Sequence, residues 1–227
     1  MIRAVLFDLD GTLVDCIRPM ETAFVEIVEG MGRKLTEEDR SNVAENLSSI
    51  LIQRSSPFAG VTFMWRLGGY AGLPRHKNLV MMFRASRRMK RITGDSPLFV
   101  GAMDLLGRLR EMPLKLGIVT TRSADEAASI MKRLSIAHFF EVVVTRDDAA
   151  RGKPYPDPVQ LALKRLSTAP EEAVVIGDMP TDIESGKGAG TKTVGLLLGI
   201  FNKELVAAKP DALATSLQEI PTILSLI

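Results

Sequence analysis

The sequence predicts an α/β protein whose core is a parallel, Rossmann-like sheet with helices on both faces, plus an inserted α-helical domain. Two observations lead to this prediction. From Pro97 onward, short apolar segments alternate with amphipathic ones, which is typical of buried parallel strands separated by helices. A similar apolar segment near the amino terminus, residues 5–7, precedes a long helical stretch. The predicted core is therefore 1–15 with 95–227, and the inserted domain is 16–94.

The inserted domain is predicted to be helical from three segments. These are METAFVEIVEGMG, the acid-rich TEEDRSNVAENLSSILIQ and the basic RHKNLVMMFRASRRMKRI. The first and third carry apolar residues three and four positions apart. GGYAGLP (68–74) is predicted to be a loop from its glycines and proline. On a helical wheel of 75–92, Leu79, Met82, Phe83 and Met89 lie on the side opposite the basic residues.

In the core, helices and strands are predicted to alternate. The predicted strands are VLF, KLGIVTT, FFEVVVT, AVVIGD and TKTVGLLLG. The predicted helices are FVGAMDLLGRLREM, SADEAASIMKRL, the segment after GKPYPDP, and TDIESGKGAG.

Composition excludes several classes of protein. The chain has 227 residues, of which 46% are hydrophobic and 25% charged, so it can bury a sizeable core and global disorder is not expected. Its longest apolar runs, such as VGLLLGIF, are too short to cross a bilayer, and no signal-peptide pattern is present. The single cysteine, Cys16, excludes an internal disulfide and suits a reducing compartment. We therefore expect a cytoplasmic protein without a membrane partner.

Polar side chains that could take part in catalysis or binding follow the predicted strands at four places. They are Asp8 and Asp10, Thr120, Lys153, and Asp178 with Asp182. Taken singly, each has an ordinary structural interpretation as a turn residue, a helix cap or a surface charge. The carboxyl ends of parallel strands share one edge of the sheet, however, and ligands bind there. We therefore expect these side chains to converge.

Converging carboxylates repel one another unless a cation lies among them. Mg²⁺ is the natural candidate because it prefers oxygen ligands, often one or two carboxylates together with phosphate oxygens. Lys153 and Thr120 suit an anionic guest, through a fixed positive charge and a hydroxyl donor. Gly11 would let the backbone bend tightly and direct amide donors at a phosphate. Together these residue types predict a phosphoryl-transfer site.

The sequence resembles the haloacid dehalogenase-like hydrolases. LFDLDGT, the strand ending in Thr120, Lys153 in GKPYPDP, and GDMPTD match that family's four motifs in their usual order. The resemblance covers the whole chain, and 16–94 stands where a helical cap domain lies in the phosphoglycolate-phosphatase-like branch. Arg122, two residues after Thr120, is a departure in a region where many relatives have Asn.

The resemblance implies a role for each motif residue. Asp8 would be the nucleophile that forms an aspartyl-phosphate, and Asp10 the acid and then the base. Thr120 would hydrogen-bond the phosphoryl group, and Lys153 would offset its charge. The metal Mg²⁺ would be bound by the Asp8 carboxylate, the Asp10 main-chain carbonyl and Asp178, with Asp182 binding the metal or orienting its water.

Substrate binding is expected at four further positions. These are Gly11, Thr121, Arg66 and Arg75, the last two because they flank the glycine-rich 68–74 segment. Between residues 46 and 94 there are nine basic residues and no acidic one, so the remainder carries −7 when the whole chain carries +2. This basic stretch is either a solvated helix face or an attractor for a substrate with more negative charge than one phosphate.

Retention of Asp10 favours cleavage of phosphate esters, because their alkoxide leaving group needs a proton. We therefore predict a Mg²⁺-dependent phosphatase of small anionic phosphorylated metabolites, such as phosphoglycolate-like, sugar or nucleotide phosphates, acting as a monomer or homodimer. The alternatives are a sugar phosphomutase and a non-enzymatic phosphate- or polyanion-binding module. A nucleic-acid partner is disfavoured, because few aromatic residues accompany the basic ones.

Overall fold

The computed structural model describes residues 1–39, 65, 68–69, 71–199 and 201–227. The chain divides into two compact units, one of Met1–Asp15 with Pro97–Ile227 and one of Cys16–Ser96. We call them the core unit and the inserted unit. The predicted helix TEEDRSNVAENLSSILIQ falls almost entirely outside the described residues, as does Arg66.

The core unit contains a six-stranded parallel sheet in the order β3-β2-β1-β4-β5-β6. The strands are β1 (Ala4–Phe7), β2 (Lys115–Val119), β3 (Val142–Val144), β4 (Ala173–Gly177), β5 (Lys192–Leu196) and β6 (Ala212–Ala214). The chain order of the strands changes direction beside β1, so β2 and β4 flank it on either side. Open parallel sheets bind ligands at such a switch point.

Both faces of the sheet are buried, which explains why its strands read as continuous apolar runs. In β1, Val5 and Phe7 pack into one hydrophobic cluster, while Ala4 and Leu6 pack into the other. The core-unit helices α3 (Ala102–Arg110), α4 (Ala124–Arg133), α5 (Asp157–Leu166), α6 (Pro180–Ala189), α7 (Asn202–Ala207) and α8 (Ile220–Leu224) follow in chain order after the inserted unit. Because α3 and α8 cover one face and α5 the other, the predicted fold class is confirmed.

The sequence-based prediction of the core unit differs most from the structure in two segments. The predicted strand FFEVVVT is shorter in the structure, because its first residue, Phe139, ends a 3-10 turn, Ala137–Phe139, and only Val142–Val144 pair with β2. The segment after residue 201 received no prediction, although it contains β6, α7 and α8. Strand β6 has only three residues and is partly exposed, so it lacks the apolar run that identifies the other strands.

The inserted unit has a small hydrophobic cluster of its own. Its helices are α1 (Ile17–Glu29) and α2 (Arg75–Asp95). Phe24 and Val28 of α1 and Met81 of α2 belong to this cluster.

The glycine-rich stretch of the inserted unit, predicted to be a loop, begins with helical residues. Gly68 and Gly69 are helical, and this helical segment ends at Gly72, whose φ is +64°. Leu73 N donates to Gly68 O and Gly72 N to Gly69 O, both at 2.9 Å. These two hydrogen bonds form a Schellman motif, in which glycine is favoured because the left-handed conformation carries no Cβ penalty.

The apolar side predicted for the third helix of the inserted unit is wrong in part. Leu79 and Phe83 are 61% and 59% exposed, while Asn78 and Met81 are buried. On the buried side of helix α2, Asn78 Nδ2 donates to Trp65 O at 2.7 Å. None of the helices in the described ranges is long and apolar enough to cross a membrane.

Candidate active site

The site lies at the carboxyl ends of three adjacent strands. Asp8 follows β1, Thr120 follows β2 and Asp178 follows β4. The main chain continues the sheet pairing by one residue, because Asp8 N donates to Ile176 O and Thr120 N donates to Val144 O, each at 2.9 Å. The sheet therefore holds the backbone of the first site residues rigidly.

Three carboxylates form a buried cluster at this edge. Oxygen atoms of Asp8, Asp178 and Asp182 lie within 4.8 Å of one another, and each residue is at most 7% exposed. Lys153 Nζ donates to Asp8 Oδ1 and Asp182 Oδ1 at 2.5 Å, and to Val119 O at 3.1 Å. One ammonium group thus contacts two of the three carboxylates, and Lys153 lies at the same sheet edge as Asp8 and Asp182.

The cluster is short of positive charge. Burial raises the pKa of Asp8 to about 7, against the lowering effect of Lys153 and with a further raising effect from Asp182. Burial, followed by the charge of Asp8, raises the pKa of Asp178 well above its ordinary value. Burial lowers the pKa of Lys153, but the charges of Asp182 and Asp8 outweigh it and raise that pKa overall. Three hard oxygen donors with uncompensated negative charge fit a divalent cation such as Mg²⁺.

Glycines and short-range hydrogen bonds bring the cluster together. Gly11 has φ +84°, and a Cβ at this position would overlap the Asp178 carboxylate. Thr12 Oγ1 donates to Asp178 Oδ1 at 3.0 Å, which orients that carboxylate. A Cβ at Gly177 would likewise overlap Asp182. The close approach of these backbones is therefore possible only without side chains at the two glycines.

Asp182 stands in the first turn of α6 and is tied at both oxygens. Its Oδ2 accepts a hydrogen bond from Met179 N at 3.1 Å, and its Oδ1 accepts from Lys153. A carboxylate in the first turn also interacts favourably with the positive end of the helix dipole. The helix start therefore fixes Asp182, and Asp182 in turn fixes Lys153.

Asp10 has a cationic partner of its own. Arg122 Nε donates to Asp10 Oδ2 at 2.6 Å, and Arg122 Nη2 donates to Asp10 Oδ1 at 2.8 Å. The Asp10 side chain is not one of the three clustered carboxylates. Sequence reasoning noted Arg122 only as a departure from the family pattern and assigned it no role. Its position two residues after Thr120, directly before the helix-capping Ser123, was the available signal.

The remaining predicted site residues fall into three groups. Thr120 is buried at the same sheet edge, and its Oγ1 accepts a hydrogen bond from Arg122 N at 3.2 Å. Thr121 is exposed, and Arg75 is an exposed residue of the inserted unit. Arg66 lies outside the described residues. Thr12, which sequence reasoning quoted within LFDLDGT without a role, belongs to the site through Asp178.

Comparison with known proteins identifies the family. The family model described as haloacid dehalogenase-like hydrolase matches residues 5–196. The chain belongs to this family. Among relatives of this haloacid dehalogenase-like hydrolase, the pyrophosphatase PpaX of Bacillus pumilus is 32% identical, with 98% of this chain and 96% of the relative covered. The phosphoglycolate phosphatase of Shigella boydii is 29% identical, with 99% of this chain and 93% of the relative covered.

Solved structures show the same fold. A Thermotoga maritima protein assigned as a β-phosphoglucomutase superimposes on this haloacid dehalogenase-like hydrolase with a TM-score of 0.74. The two are 25% identical, and the match covers 100% of both chains. The predicted family and the predicted enzyme class, a haloacid dehalogenase-like phosphatase, are confirmed by these comparisons.

Proposed function

We propose that this protein is a Mg²⁺-dependent phosphatase that hydrolyses small phosphomonoesters through an aspartyl-phosphate on Asp8. The observation that carries the proposal is the arrangement around Asp8, a buried carboxylate that contacts Lys153 and lies within a cluster of three acids. Asp10, two positions after Asp8, lies outside that cluster and contacts Arg122. These different surroundings support Asp8 as the nucleophile and Asp10 as the proton carrier.

In the first step, an Asp8 carboxylate oxygen attacks phosphorus and the bond from phosphorus to the ester oxygen breaks. Asp10 gives its proton to the departing oxygen, which leaves as an alcohol. Lys153 offsets negative charge on Asp8 and on the phosphoryl group. The Thr120 hydroxyl, which accepts a hydrogen bond from Arg122 N, donates a hydrogen bond to a phosphoryl oxygen.

In the second step, Asp10 takes a proton from water, and the water oxygen attacks the phosphorus of the aspartyl-phosphate. The bond between phosphorus and the Asp8 oxygen breaks, so inorganic phosphate leaves and the Asp8 carboxylate is restored. Asp10 is then protonated and ready to act as an acid again. The two steps therefore require one nucleophile and one proton carrier that do not exchange roles.

Asp8 and Asp178 are the side chains that we assign to hold Mg²⁺, together with the main-chain carbonyl of Asp10. Asp182 serves mainly to hold Lys153, because both of its oxygens already accept hydrogen bonds from Lys153 and Met179. Bound there, Mg²⁺ would supply positive charge that offsets the charge of the phosphoryl oxygens and the acidic cluster.

The substrates that we propose are small phosphorylated metabolites, including phosphoglycolate-like, sugar and nucleotide phosphates, bound with the help of Gly11, Thr121, Arg66 and Arg75. The inserted unit is the proposed cap domain. We also propose a cytoplasmic location, since the single Cys16 suits a reducing compartment.

The test is the release of phosphate from a panel of phosphomonoesters and from pyrophosphate, in Mg²⁺ or in chelator. Wild type, Asp8→Asn and, as a matched control, Asp125→Asn on the exposed side of α4 are compared. We expect release that requires both Mg²⁺ and Asp8 and is retained in Asp125→Asn. Equal release by Asp8→Asn and wild type, or no release from any ester, would contradict the proposal.

A second candidate function is a sugar phosphomutase, favoured by the likeness to the Thermotoga maritima protein. Such an enzyme would convert a sugar 1-phosphate into the 6-phosphate when primed by a sugar bisphosphate, with little release of free phosphate. The same samples, analysed by ³¹P NMR with a sugar 1-phosphate and the bisphosphate, distinguish isomerisation from hydrolysis.

A further inference from the structure

Arg122 and Asp10 form a two-point contact beside the acidic cluster. The two donor–acceptor distances are 2.6 Å and 2.8 Å, and each bond uses a different oxygen of Asp10. The side chains are 16% and 23% exposed, so the pair is mostly shielded from water. A paired fork of this kind fixes the plane of the carboxylate as well as its distance.

The backbone of Arg122 is itself fixed on both sides. Arg122 N donates to Thr120 Oγ1 at 3.2 Å, and Arg122 O accepts a hydrogen bond from Arg146 N at 3.0 Å. The next residue, Ser123, is the N-cap of α4 and forms a capping box with Glu126. The guanidinium therefore projects from a rigid junction between β2 and α4, and its two hydrogen bonds hold the Asp10 carboxylate in place.

We infer that Arg122 is a positioning residue that holds the Asp10 carboxylate in place for proton transfer. The inference rests on the proposed function, in which Asp10 is the acid and the base. Asp10 adjoins Gly11, at a tight turn with φ +84°, and an aspartate there can rotate about its first side-chain torsion. Two hydrogen bonds from Arg122 select one rotamer and keep a fourth carboxylate out of the acidic cluster.

The expected consequence is a loss in turnover rather than in substrate binding. Misplacement of a reacting group by about 1 Å can cost about 100-fold in rate, and positioned proton transfer contributes about 100-fold or more. Arg122→Met should therefore lower kcat by about 10- to 100-fold on an alkyl phosphate, with KM changed by less than about 3-fold. Arg122→Lys keeps the charge without the planar fork, and we expect only partial rescue.

The decisive experiment is a double-mutant cycle of Arg122→Met and Asp10→Asn, assayed in Mg²⁺ with p-nitrophenyl phosphate, an activated ester on which residual activity can be measured. If Arg122 acts through Asp10, the substitution of Arg122 has no further effect once Asp10 is changed. If the effects of the two substitutions on kcat multiply, or if Arg122→Met raises KM and leaves kcat unchanged, Arg122 contacts the substrate and the inference is overturned.

Two additional measurements separate this inference from the proposed function. Arg165→Met removes another arginine–aspartate contact of the core unit, Arg165 Nη2 to Asp148 Oδ1 at 2.7 Å, and should leave kcat within about 2-fold. A crystal structure of Arg122→Lys, which needs no activity, should show the Asp10 carboxylate turned from its place. An unmoved Asp10 would overturn the inference, whereas activity that is independent of Asp8 would overturn the proposed function.

Discussion

Lys153 is the residue whose removal should destabilise the core unit most clearly through charge. Its side chain is 5% exposed and contacts the side chains of Asp8 and Asp182, which are 8% and 1% exposed. Lys153→Met keeps the approximate length of the side chain but leaves the buried carboxylates of Asp8 and Asp182 without their ammonium partner. Breaking a buried ion pair from one side costs about 3–5 kcal/mol, so we expect a loss of this size in the free energy of unfolding without metal.

Lys192 offers a matched control. It contacts Asp211 at 3.4 Å, but its side chain is 47% exposed. Exposed pairs contribute about 0–1 kcal/mol, and Lys192→Met should therefore cost at most about 1 kcal/mol. For a chain of this size, 1 kcal/mol corresponds to about 2–4 °C in the melting temperature. The two variants should differ by about 10 °C when melting is followed by circular dichroism in chelator.

Mg²⁺ should reduce the difference in melting temperature between Lys153→Met and Lys192→Met, because a divalent cation replaces part of the charge that Lys153→Met removes. The melting temperatures of wild type, Lys153→Met and Lys192→Met are therefore compared in chelator and in Mg²⁺. Equal melting of the two lysine variants in chelator would refute the reasoning, since it would mean that Lys153 does not balance buried charge.

Three further predictions concern other parts of the core unit. Mg²⁺ at a concentration 100 times Kd should add about 2.7 kcal/mol to the free energy of unfolding of wild type and so raise its melting temperature. It should have little effect on the melting temperature of Asp178→Asn. Gly11→Ala should abolish this Mg²⁺-dependent shift and lower stability by about 1–3 kcal/mol, because φ is +84° and the new Cβ meets the Asp178 carboxylate; a normal shift would contradict this. Hydrogen bonds, first that from the Thr145 hydroxyl and then that from Arg165, lower the pKa of Asp148 from 3.8 to about 2. This contribution to stability is present above pH 3.8 and is lost as pH falls through about 2. Asp148→Asn should therefore lower the free energy of unfolding by about 1 kcal/mol at pH 7. Urea unfolding should show that the difference between wild type and Asp148→Asn becomes smaller below pH 4.

The parts of the fold that could be predicted are those in which burial dictates residue type. Strands β1 and β4 are buried on both faces, so nearly every residue in them must be apolar and the pattern is unambiguous. Strand β6 has three residues, of which Leu213 is 39% exposed, and its alanines carry no strand preference. Its position depends on pairing with β5, which a local pattern does not contain.

In the candidate site, too, some features follow from the local sequence and others depend on contacts between distant residues. Asp8, Thr120 and Asp178 could be predicted to lie together because each directly follows a strand of a parallel sheet. The contact between Arg122 and Asp10 could not, because it joins residues 112 positions apart through a long side chain whose direction the sequence does not specify. The buried side of α2 escaped prediction because it includes a polar residue, Asn78, which donates a hydrogen bond to Trp65 O, while the apolar Leu79 and Phe83 are exposed.

Two carboxylates separated by a single residue, Asp8 and Asp10, are costly to hold near a buried sheet edge, and the structure reduces this cost because each contacts a different cation. Asp8 contacts Lys153, and Asp10 contacts Arg122. When Asp178 and Asp182 are included and all four carboxylates are ionised, they face two cationic side chains, which leaves two negative charges. One Mg²⁺ carries the charge that would neutralise them. In the proposed mechanism, the separate partners also keep the nucleophile, Asp8, and the proton carrier, Asp10, in different surroundings.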